Sequence, residues 1–451
     1  MADHGALIIP LDLATAIADA DVTSGWLGGG GLQSEQVFAV TSAQIGPETK
    51  YSGYFDQLFP HRSWDAMEGG LQEQLVLWRR IPPGFVESHR PYRWCKTSEL
   101  LSELSFETAE LDGKKICVCV VERHSEGPKV RTFLIESQSD SSRLLPMETI
   151  MVPQSSDPYV RIPGELTEEL RGKCVTIAGA GSGGGEIALN LACAGVGHLV
   201  LFDDDRLHAE NYIRHTLTKR DLGRMKIAGI RDALRERSLP TKVTGHGLNI
   251  VLWADMFRKS LAESRPDLII CATDSRDSRR LANLCSIGFG IPLVIAGILD
   301  AGRIGEILLV RPKESACYEC VRMDLGATLE APESSERSST PYIGGEEADL
   351  QSVALRFDIG FVSSLATRVA LQVLDPKSYG RLPADYLVWG REKSFEYGDP
   401  FRFDLPLSLN YVPVRMRPDC PVCGGRPADL EGVDIGGEFA KILAELDNLP
   451  A

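Results

Sequence analysis

The stretch from Lys173 to Lys226 constrains the fold more than any other part of the chain. It opens with the apolar, β-branched run Cys174–Ala178, which predicts a short buried strand. Gly-Ala-Gly-Ser-Gly-Gly follows at positions 179–184 and satisfies the pattern G-x-G-x-x-G. A helix is predicted from this turn to the glycines at 195 and 197, and a second strand over residues 199–202. In this order, the glycine turn connects the end of the first strand to the start of the helix.

This glycine turn has the chemistry of a phosphate site. Glycines allow the turn to approach an anion closely, and the helix start offers unpaired N–H groups and the positive end of a dipole. Three aspartates follow the second strand. In sites of this kind an acid at the tip of that strand can accept a hydrogen bond from a ribose hydroxyl. We therefore predict a nucleotide site formed by Gly179, Gly181, Gly184, Asp203 and Asp205. The alternative is a glycine turn that serves only close helix packing.

Three polar residues after the second strand indicate what happens to the nucleotide. Asn211 and Arg214 lie in Glu-Asn-Tyr-Ile-Arg-His, and Lys226 ends Asp-Leu-Gly-Arg-Met-Lys. An enzyme that transfers a hydride has no need of such residues, since it cleaves nothing at the phosphates of its cofactor. Cleavage of a phosphoanhydride does need fixed cations, because negative charge moves onto the leaving pyrophosphate. We predict that Asn211, Arg214 and Lys226 act in catalysis.

Seven short motifs extend from about Cys174 to Gly424, a little over half of the chain, and occur in the order G-A-G-S-G-G, L-F-D-D-D, E-N-Y-I-R-H, G-R-M-K, C-A-T-D-S, A-C-Y-E-C and D-C-P-V-C-G. In this combination the chain resembles the ThiF/MoeB/HesA family of adenylating enzymes, which are related to ubiquitin-activating enzymes. The resemblance implies that ATP and magnesium are used and that the protein is a homodimer. It also implies, as substrate, a ubiquitin-like or sulfur-carrier protein with an exposed Gly-Gly end.

Two further site residues rest on this resemblance. Asp274 ends the apolar strand that begins near Asp267, so it lies where open α/β sheets bind ligands. By resemblance it is the aspartate that holds magnesium against the ATP phosphates, although it also suits a helix N-cap. Arg161 is the candidate, by position, for the family's arginine upstream of the first strand, which reaches the ATP phosphates. The alternative is a solvated arginine in a linker.

Two C-x-x-C pairs, Cys317 with Cys320 and Cys420 with Cys423, form the second strong signal. Four thiolates suit the corners of a tetrahedron about 2.3 Å from zinc. The pairs lie far apart in the chain, so the metal would join the end of the domain to its middle, as is typical of the family. Four cysteines leave no position for water, which predicts a structural zinc. The alternative is two reduced pairs that never meet.

The segment from Gly326 to Asp349 is rich in Ser, Glu and Pro. In relatives that pass on the activated protein as a thioester, the nucleophilic cysteine lies in this region. Here the chain has no cysteine between its two C-x-x-C pairs. The sequence therefore supports adenylation without predicting a thioester step.

A chain of 451 residues is long enough for two or three domains. We predict a separate α+β domain over residues 1–150, which would help to choose the substrate, and a ThiF-like adenylation domain over residues 151–451. Within the second domain, a long helix is predicted from about Leu350 to Leu374. Its apolar residues, which include Phe357 and Phe361, would line either the core or a dimer interface, and the core is the default.

The charge and the start of the chain bear on partners and location. A formal net charge of −15 argues against nucleic acid or an anionic membrane as the principal partner. The first residues lack the basic and then apolar pattern of a secretory signal. We expect a cytoplasmic protein that binds neither nucleic acid nor membrane.

Together these observations predict an α/β protein. Its main domain would have a Rossmann-like, doubly wound, mostly parallel sheet and a zinc-bound C-terminal part, beside the N-terminal α+β domain. The expected activity is ATP-dependent adenylation of a carboxyl terminus, giving an acyl adenylate and pyrophosphate. The alternatives are a peptide-modifying adenylyltransferase of the microcin-maturation kind, a NAD-dependent oxidoreductase and a non-catalytic scaffold.

Overall fold

The computed structural model describes most of the chain in ten stretches, which are residues 5–32, 37–51, 72–81, 92–104, 116–138, 140–152, 164–237, 239–325, 354–395 and 398–424. The chain divides into two compact units, Met1–Asp157 and Pro158–Ala451. Arg161 and the segment from Gly326 to Asp349 lie outside the described residues. Residues 435–449, for which the sequence predicts a terminal helix, lie outside them too.

The first unit is built mainly of strands. Its described strands are β1 (Ala6–Pro10), β2 (Ser24–Leu32), β3 (Val37–Ile45), β4 (Glu48–Tyr51), β5 (Gln72–Ile81), β6 (Cys95–Lys96), β7 (Ile116–His124), β8 (Gly127–Gln138) and β9 (Ser141–Val152). Its described helices are α1 (Leu11–Asp19) and α2 (Thr97–Glu103). The order is β1-β3-β2-β5-β7-β8-β9, and β9 pairs again with β1, so these seven strands form a closed ring.

Alternating side chains give this ring two apolar faces. Trp78 and Cys119 belong to the cluster that packs against α1, whereas their neighbours Leu77 and Val118 belong to the cluster that packs against α2. The β7–β8 hairpin turns at Ser125–Glu126. Closure removes most sheet edges, which stabilises a β-rich unit against strand exchange.

The second unit alternates strands and helices. Its described strands are β10 (Cys174–Ala178), β11 (His198–Phe202), β12 (Lys242–His246), β13 (Leu268–Cys271), β14 (Leu293–Leu299), β15 (Ile304–Val310), β16 (Tyr386–Gly390) and β17 (Ser408–Val412). Its described helices are α3 (Gly164–Arg171), α4 (Ser182–Ala194), α5 (Lys226–Glu236), α6 (Ala254–Ser264), α7 (Arg276–Phe289), α8 (Tyr318–Leu325), α9 (Arg356–Leu374) and α10 (Pro376–Tyr379).

These strands form one mixed sheet in the order β12-β11-β10-β13-β14-β15-β16-β17. The five strands from β12 to β14 are parallel, and β15, β16 and β17 are added antiparallel. The chain runs from β10 outward to β12 and then returns to β13 on the other side of β10. A crevice therefore opens between the carboxyl ends of β10 and β13, which is the position where open α/β sheets bind ligands.

Both faces of this sheet are covered, which confirms the mixed α/β class and explains why the inner strands β13 and β14 are apolar throughout. One apolar core is formed against α4, α5 and α9, and the other against α6, α7 and α8. In β13, for example, Leu268 and Ile270 belong to the first core and Ile269 and Cys271 to the second.

Helix α9 differs from its prediction in two ways. It begins at Arg356, since Leu355 is extended, rather than near Leu350. Its buried face also differs, because Phe357 and Phe361 are 67% and 44% exposed, while Val362 and Ala366 are buried. By length and composition α9 could cross a membrane, but most of it is buried inside the unit.

Candidate functional site

The glycine turn lies between β10 and α4, and two of its glycines are required by space. Gly179 has φ +90°, and a Cβ there would lie 2.9 Å from the Ala272 carbonyl oxygen. At Gly184 a Cβ would lie 1.9 Å from the Gly179 carbonyl oxygen, so any side chain would push the turn open. Gly181 has open space around its Cβ position and is the N-cap of α4, with no side-chain cap. The first N–H groups of α4 therefore remain available to an anion.

Asp203, directly after β11, holds the glycine turn. Its Oδ2 accepts a hydrogen bond from the Ala180 N–H at 2.7 Å, and its Oδ1 accepts from the Asp205 N–H at 2.9 Å. Burial raises the pKa of Asp203, although Lys226 and the two N–H donors oppose that shift. The predicted ribose acceptor thus also fixes the turn, and lone pairs remain on its oxygens for a further donor.

Lys226, the first residue of α5, is anchored at the same edge. Its Nζ lies 2.8 Å from the Asp205 Oδ2, and its N–H donates to the Asp205 carbonyl oxygen at 3.0 Å. The lysine side chain is 10% exposed and the aspartate side chain is 69% exposed. The ammonium is therefore held in place while its partner carboxylate remains largely in solvent.

His215 is buried behind the turn. Its Nδ1 accepts from the Leu217 N–H at 3.1 Å, so Nε2 carries the proton and donates to the Ala180 carbonyl oxygen at 3.1 Å. Burial lowers its pKa to about 4, and the nearby charges of Lys226, Arg214 and Arg356 add to this shift. The imidazole is thus neutral near pH 7. Lys226, Arg214 and Arg356 thus lie close enough to His215 to act on its charge.

Arg214 and Asn211 lie on the loop that follows β11. The Asn211 Oδ1 accepts from the His208 N–H at 3.2 Å, and the Arg214 N–H donates to the Asn211 carbonyl oxygen at 3.0 Å. Both side chains are half-buried. The loop therefore folds on itself and places Arg214 next to His215, which is hydrogen-bonded to the glycine turn.

Helix α9 contributes residues that the sequence did not single out. Arg356 donates to the His215 carbonyl oxygen and lies 3.9 Å from the Glu186 carboxylate of α4. The Ser363 hydroxyl donates to the Gly183 carbonyl oxygen at 3.3 Å. A cation at a helix N-terminus is electrostatically unfavourable, and this is the only local signal that Arg356 has another role. His215 ends the motif Glu-Asn-Tyr-Ile-Arg-His, but no local signal in the sequence indicates that it binds Ala180.

Asp274 lies at the carboxyl end of β13, on the other side of β10 from Asp203. Its side chain is exposed, and the N-cap of α7 is the next residue, Ser275, whose Oγ accepts from the Ser278 N–H at 3.4 Å. The alternative N-cap role for Asp274 is therefore wrong. One carboxylate facing solvent beside the glycine turn is a donor set that suits Mg²⁺, which keeps several waters and takes few protein ligands.

The two C-x-x-C pairs meet, although Cys317 and Cys420 are 103 residues apart. The four sulfurs lie within 4.8 Å of one another, with separations of 3.6 Å for Cys317–Cys420 and 3.3 Å for Cys320–Cys423. A tetrahedral zinc with sulfurs at about 2.3 Å separates them by about 3.8 Å. The geometry fits that metal, and the alternative of two separate pairs is wrong.

The structure thus brings the glycine turn, Asp203, Asp205, Asn211, Arg214 and Lys226 to one edge of the sheet, with Asp274 at the neighbouring strand end. The four cysteines form a second group, in the core against α7 and α8. Arg161 lies outside the described residues, so its role stays a prediction.

The family match lies in this second unit, and several known proteins are similar to the chain. The family model described as ThiF family matches residues 158–387, just over half of the chain. The chain is 28% identical over 260 residues to the sulfur carrier protein ThiS adenylyltransferase of Escherichia coli (strain K12), covering 56% of this chain and 87% of that protein. It is 27% identical over 161 residues to the ubiquitin-like modifier-activating enzyme 5 of Caenorhabditis elegans, covering 34% of this chain and 38% of that enzyme.

Several solved structures are also similar. One is E. coli MccB with MccA-N7isoASN, at a TM-score of 0.43 and 18% identity, covering 58% of this chain and 69% of that chain. Another is PaaA, at a TM-score of 0.42 and 15% identity, covering 55% of this chain and 76% of that chain.

Proposed function

The chain belongs to the ThiF family, as its motifs predict, and from that premise we propose that it adenylates the carboxyl terminus of a ubiquitin-like or sulfur-carrier protein with ATP. The support from relatives is the ThiS adenylyltransferase, most of whose length the chain covers. The chain spans less than half of the ubiquitin-like modifier-activating enzyme, so that match supports the reaction more than the substrate.

The observation that carries the proposal is the arrangement at the carboxyl edge of β10, β11 and β13. The uncapped start of α4 offers N–H groups to the phosphates, and Asp203 keeps the turn in that shape. Lys226 holds a nearly buried ammonium beside it. A site that only binds a dinucleotide needs the turn and the acid, whereas this one adds the cations that phosphoanhydride cleavage requires.

In the proposed reaction the substrate carboxylate attacks the α-phosphorus of ATP. A new C(O)O–P bond forms, the bond from the α-phosphorus to the bridging oxygen breaks, and pyrophosphate leaves with the electron pair. A carboxylate is ionised at neutral pH, so no general base is needed. Lys226 and Arg214 would stabilise the charge that develops on the phosphates, and Asn211 would fix the Arg214 loop. Magnesium held by Asp274 would supply a further positive charge there.

Several expectations remain part of this proposal. We propose that the four cysteines bind a structural zinc, that the protein acts as a cytoplasmic homodimer, and that Arg161 reaches the phosphates. We also propose that the substrate has a Gly-Gly end and that the acyl adenylate is not passed to a cysteine between the two C-x-x-C pairs.

The test is the exchange of labelled pyrophosphate into ATP, with magnesium and candidate proteins that end in Gly-Gly. Asp274→Asn keeps the size of the side chain and removes its charge, so exchange is expected to fall by roughly 10²-fold. Asp277→Asn, in the first turn of the helix α7 that follows Asp274, is the matched control and keeps wild-type exchange.

Exchange that requires a Gly-Gly protein and Asp274 establishes the reaction and the substrate class. Exchange with a short peptide alone would instead support the peptide-modifying alternative. Measurable ATP binding without exchange for any carboxylate would support the scaffold.

A further inference from the structure

Helix α7 buries two arginines and an asparagine that the proposed reaction does not use. Arg279 and Arg280 are each 4% exposed, and Asn283 is fully buried. Polar groups are costly to bury, so each of them needs partners. Those partners lie in two directions, one toward Asp274 and the other toward the cysteines.

Arg279 fixes the chain next to Asp274. Its Nε donates to the carbonyl oxygen of Thr273 at 3.3 Å, and its Nη1 lies 2.5 Å from the Glu306 Oε1 on β15. The Tyr386 hydroxyl donates to the other Glu306 oxygen at 3.2 Å. The Thr273 peptide is therefore tied through one guanidinium to two neighbouring strands.

Arg280 and Asn283 bind the residues between the first two cysteines. The Arg280 Nε donates to the Glu319 Oε1 at 3.2 Å, and the Asn283 Oδ1 accepts from the Tyr318 N–H at 3.0 Å. Glu319 is 2% exposed and also accepts from Arg322 at 3.1 Å. Tyr318 and Glu319, the two residues between Cys317 and Cys320, are thus fixed to α7.

One rigid element therefore connects the two groups that the sequence predicted separately. Hydrogen bonds of buried charged groups are strong, and they lose geometry when either partner moves. A metal that holds Cys317 and Cys320 restrains residues 318 and 319, which restrain α7, which begins directly after Asp274 and Ser275.

We propose that Arg279, Arg280 and Asn283 are positioning residues, through which metal binding at the four cysteines fixes the β13–α7 turn and its carboxylate, Asp274. This inference rests on the proposed function only for the role of Asp274, since the link itself is independent of any nucleotide. Loss of the cysteine metal loosens the turn and weakens binding of magnesium-bound ATP, whereas binding of magnesium-free ATP at the glycine turn changes little.

The test is hydrogen–deuterium exchange of the full chain, read at the peptides that cover residues 271–278. The samples are zinc-loaded protein, protein stripped of zinc by a chelator, and zinc-loaded Arg280→Met. In this variant Glu319 keeps Arg322 as a partner, so no carboxylate is left buried and unpaired. Arg311→Met is the matched control, because Arg311 pairs with Asp385, which keeps Arg381, away from α7.

We expect exchange at the turn to rise in the zinc-stripped protein and in Arg280→Met with its zinc retained, and to stay unchanged in Arg311→Met. In parallel, Arg280→Met should weaken the affinity for magnesium-bound ATP by roughly tenfold, as changes around metal ligands do. Unchanged exchange at residues 271–278 in Arg280→Met overturns the link, even if the stripped protein unfolds. A wild type that never retains zinc overturns the role of the metal.

Failure of the proposed function has a different signature. If the wild type binds no ATP while the turn loosens as expected, the link holds and the nucleotide assignment is wrong. If Arg280→Met binds ATP and shows normal pyrophosphate exchange while hydrogen exchange at the turn is unchanged, the function holds and the link is wrong.

Discussion

Asp203 and His215 bind the two backbone polar atoms of one residue, since the Asp203 carboxylate accepts from the Ala180 N–H at 2.7 Å and the His215 imidazole donates to the Ala180 carbonyl oxygen at 3.1 Å. Ala180 is the second residue of the glycine turn. Its peptide groups are therefore held from β11 on one side and from the following loop on the other. A turn fixed in this way keeps its N–H groups aimed at an anion without reorganisation, which is how preorganised sites gain their electrostatic effect.

The neutral state of His215 makes stability depend on pH. Its pKa is about 4 in the folded protein and near 6.5 when unfolded, so the unfolded chain takes up more protons between these values. The contribution of His215 to the free energy of unfolding is therefore full above about pH 6.5 and is lost as the pH drops toward 4, by at most about 3 kcal/mol. His215→Gln, which keeps a donor for Ala180, should remove that part of the pH dependence.

Denaturant unfolding of both proteins between pH 7 and pH 4.5 measures this effect. The comparison with the variant separates His215 from other histidines, such as His198, whose pKa is also lowered by burial. Parallel pH profiles for wild type and His215→Gln would contradict a neutral, turn-holding imidazole.

Lys226→Ala should reduce pyrophosphate exchange by roughly 10² to 10³-fold, because a fixed positive charge at the developing negative charge is lost. Its stability should change little, since the partner Asp205 is 69% exposed and is not left buried. Lys259→Ala, which removes a lysine paired on the surface of α6, is the control and keeps full exchange. Equal exchange rates in the two variants would exclude Lys226 from the reaction.

The two glycines at 181 and 184 should respond differently to alanine. A Cβ at Gly184 meets the Gly179 backbone at 1.9 Å, so Gly184→Ala should lower the free energy of unfolding by roughly 1–3 kcal/mol or more. Gly181 has φ −68° and open space at its Cβ position, so Gly181→Ala should unfold like the wild type. Denaturant midpoints of the two variants decide this, and a stable Gly184→Ala would show that the turn is not closely packed.

Cys420→Ser should abolish tight zinc binding and lower the melting temperature, because three thiolates hold the metal much less firmly than four and the two distant C-x-x-C pairs are no longer joined. Cys193→Ser, at an exposed cysteine outside the cluster, should keep both. Zinc content and thermal unfolding with and without a chelator measure these effects. Wild-type zinc content in Cys420→Ser would contradict a four-cysteine site.

Much of the site was predicted from the sequence, because its signals are local. The glycines at 179, 181 and 184 and the acids at strand ends follow from what a single turn or strand end can do. Apolar runs such as Leu268–Cys271 predict strands covered on both faces, which places Asp274 at the ligand-binding edge. These inferences need only neighbouring residues and the strand and helix periods.

Contacts between distant residues required the tertiary structure. Arg356 reaches His215 across 141 positions, and Cys317 reaches Cys420 across 103. The wrong choice of the buried face of α9, with Phe357 and Phe361 outward, has the same origin. Which helix covers which face, and in what rotation, depends on packing against α4 and the sheet rather than on the helix's own residues.

The sequence by itself therefore determined which chemical groups the candidate site contains, namely a glycine turn that suits a phosphate, a set of cations, a carboxylate at a strand end and four thiolates. Only the tertiary structure decided that Asp203 and His215 share Ala180, and that α7 joins Asp274 to the cysteines. The physical reason is that residue type and period set what a side chain can bind, whereas strand order and helix packing set which partner comes within hydrogen-bonding distance.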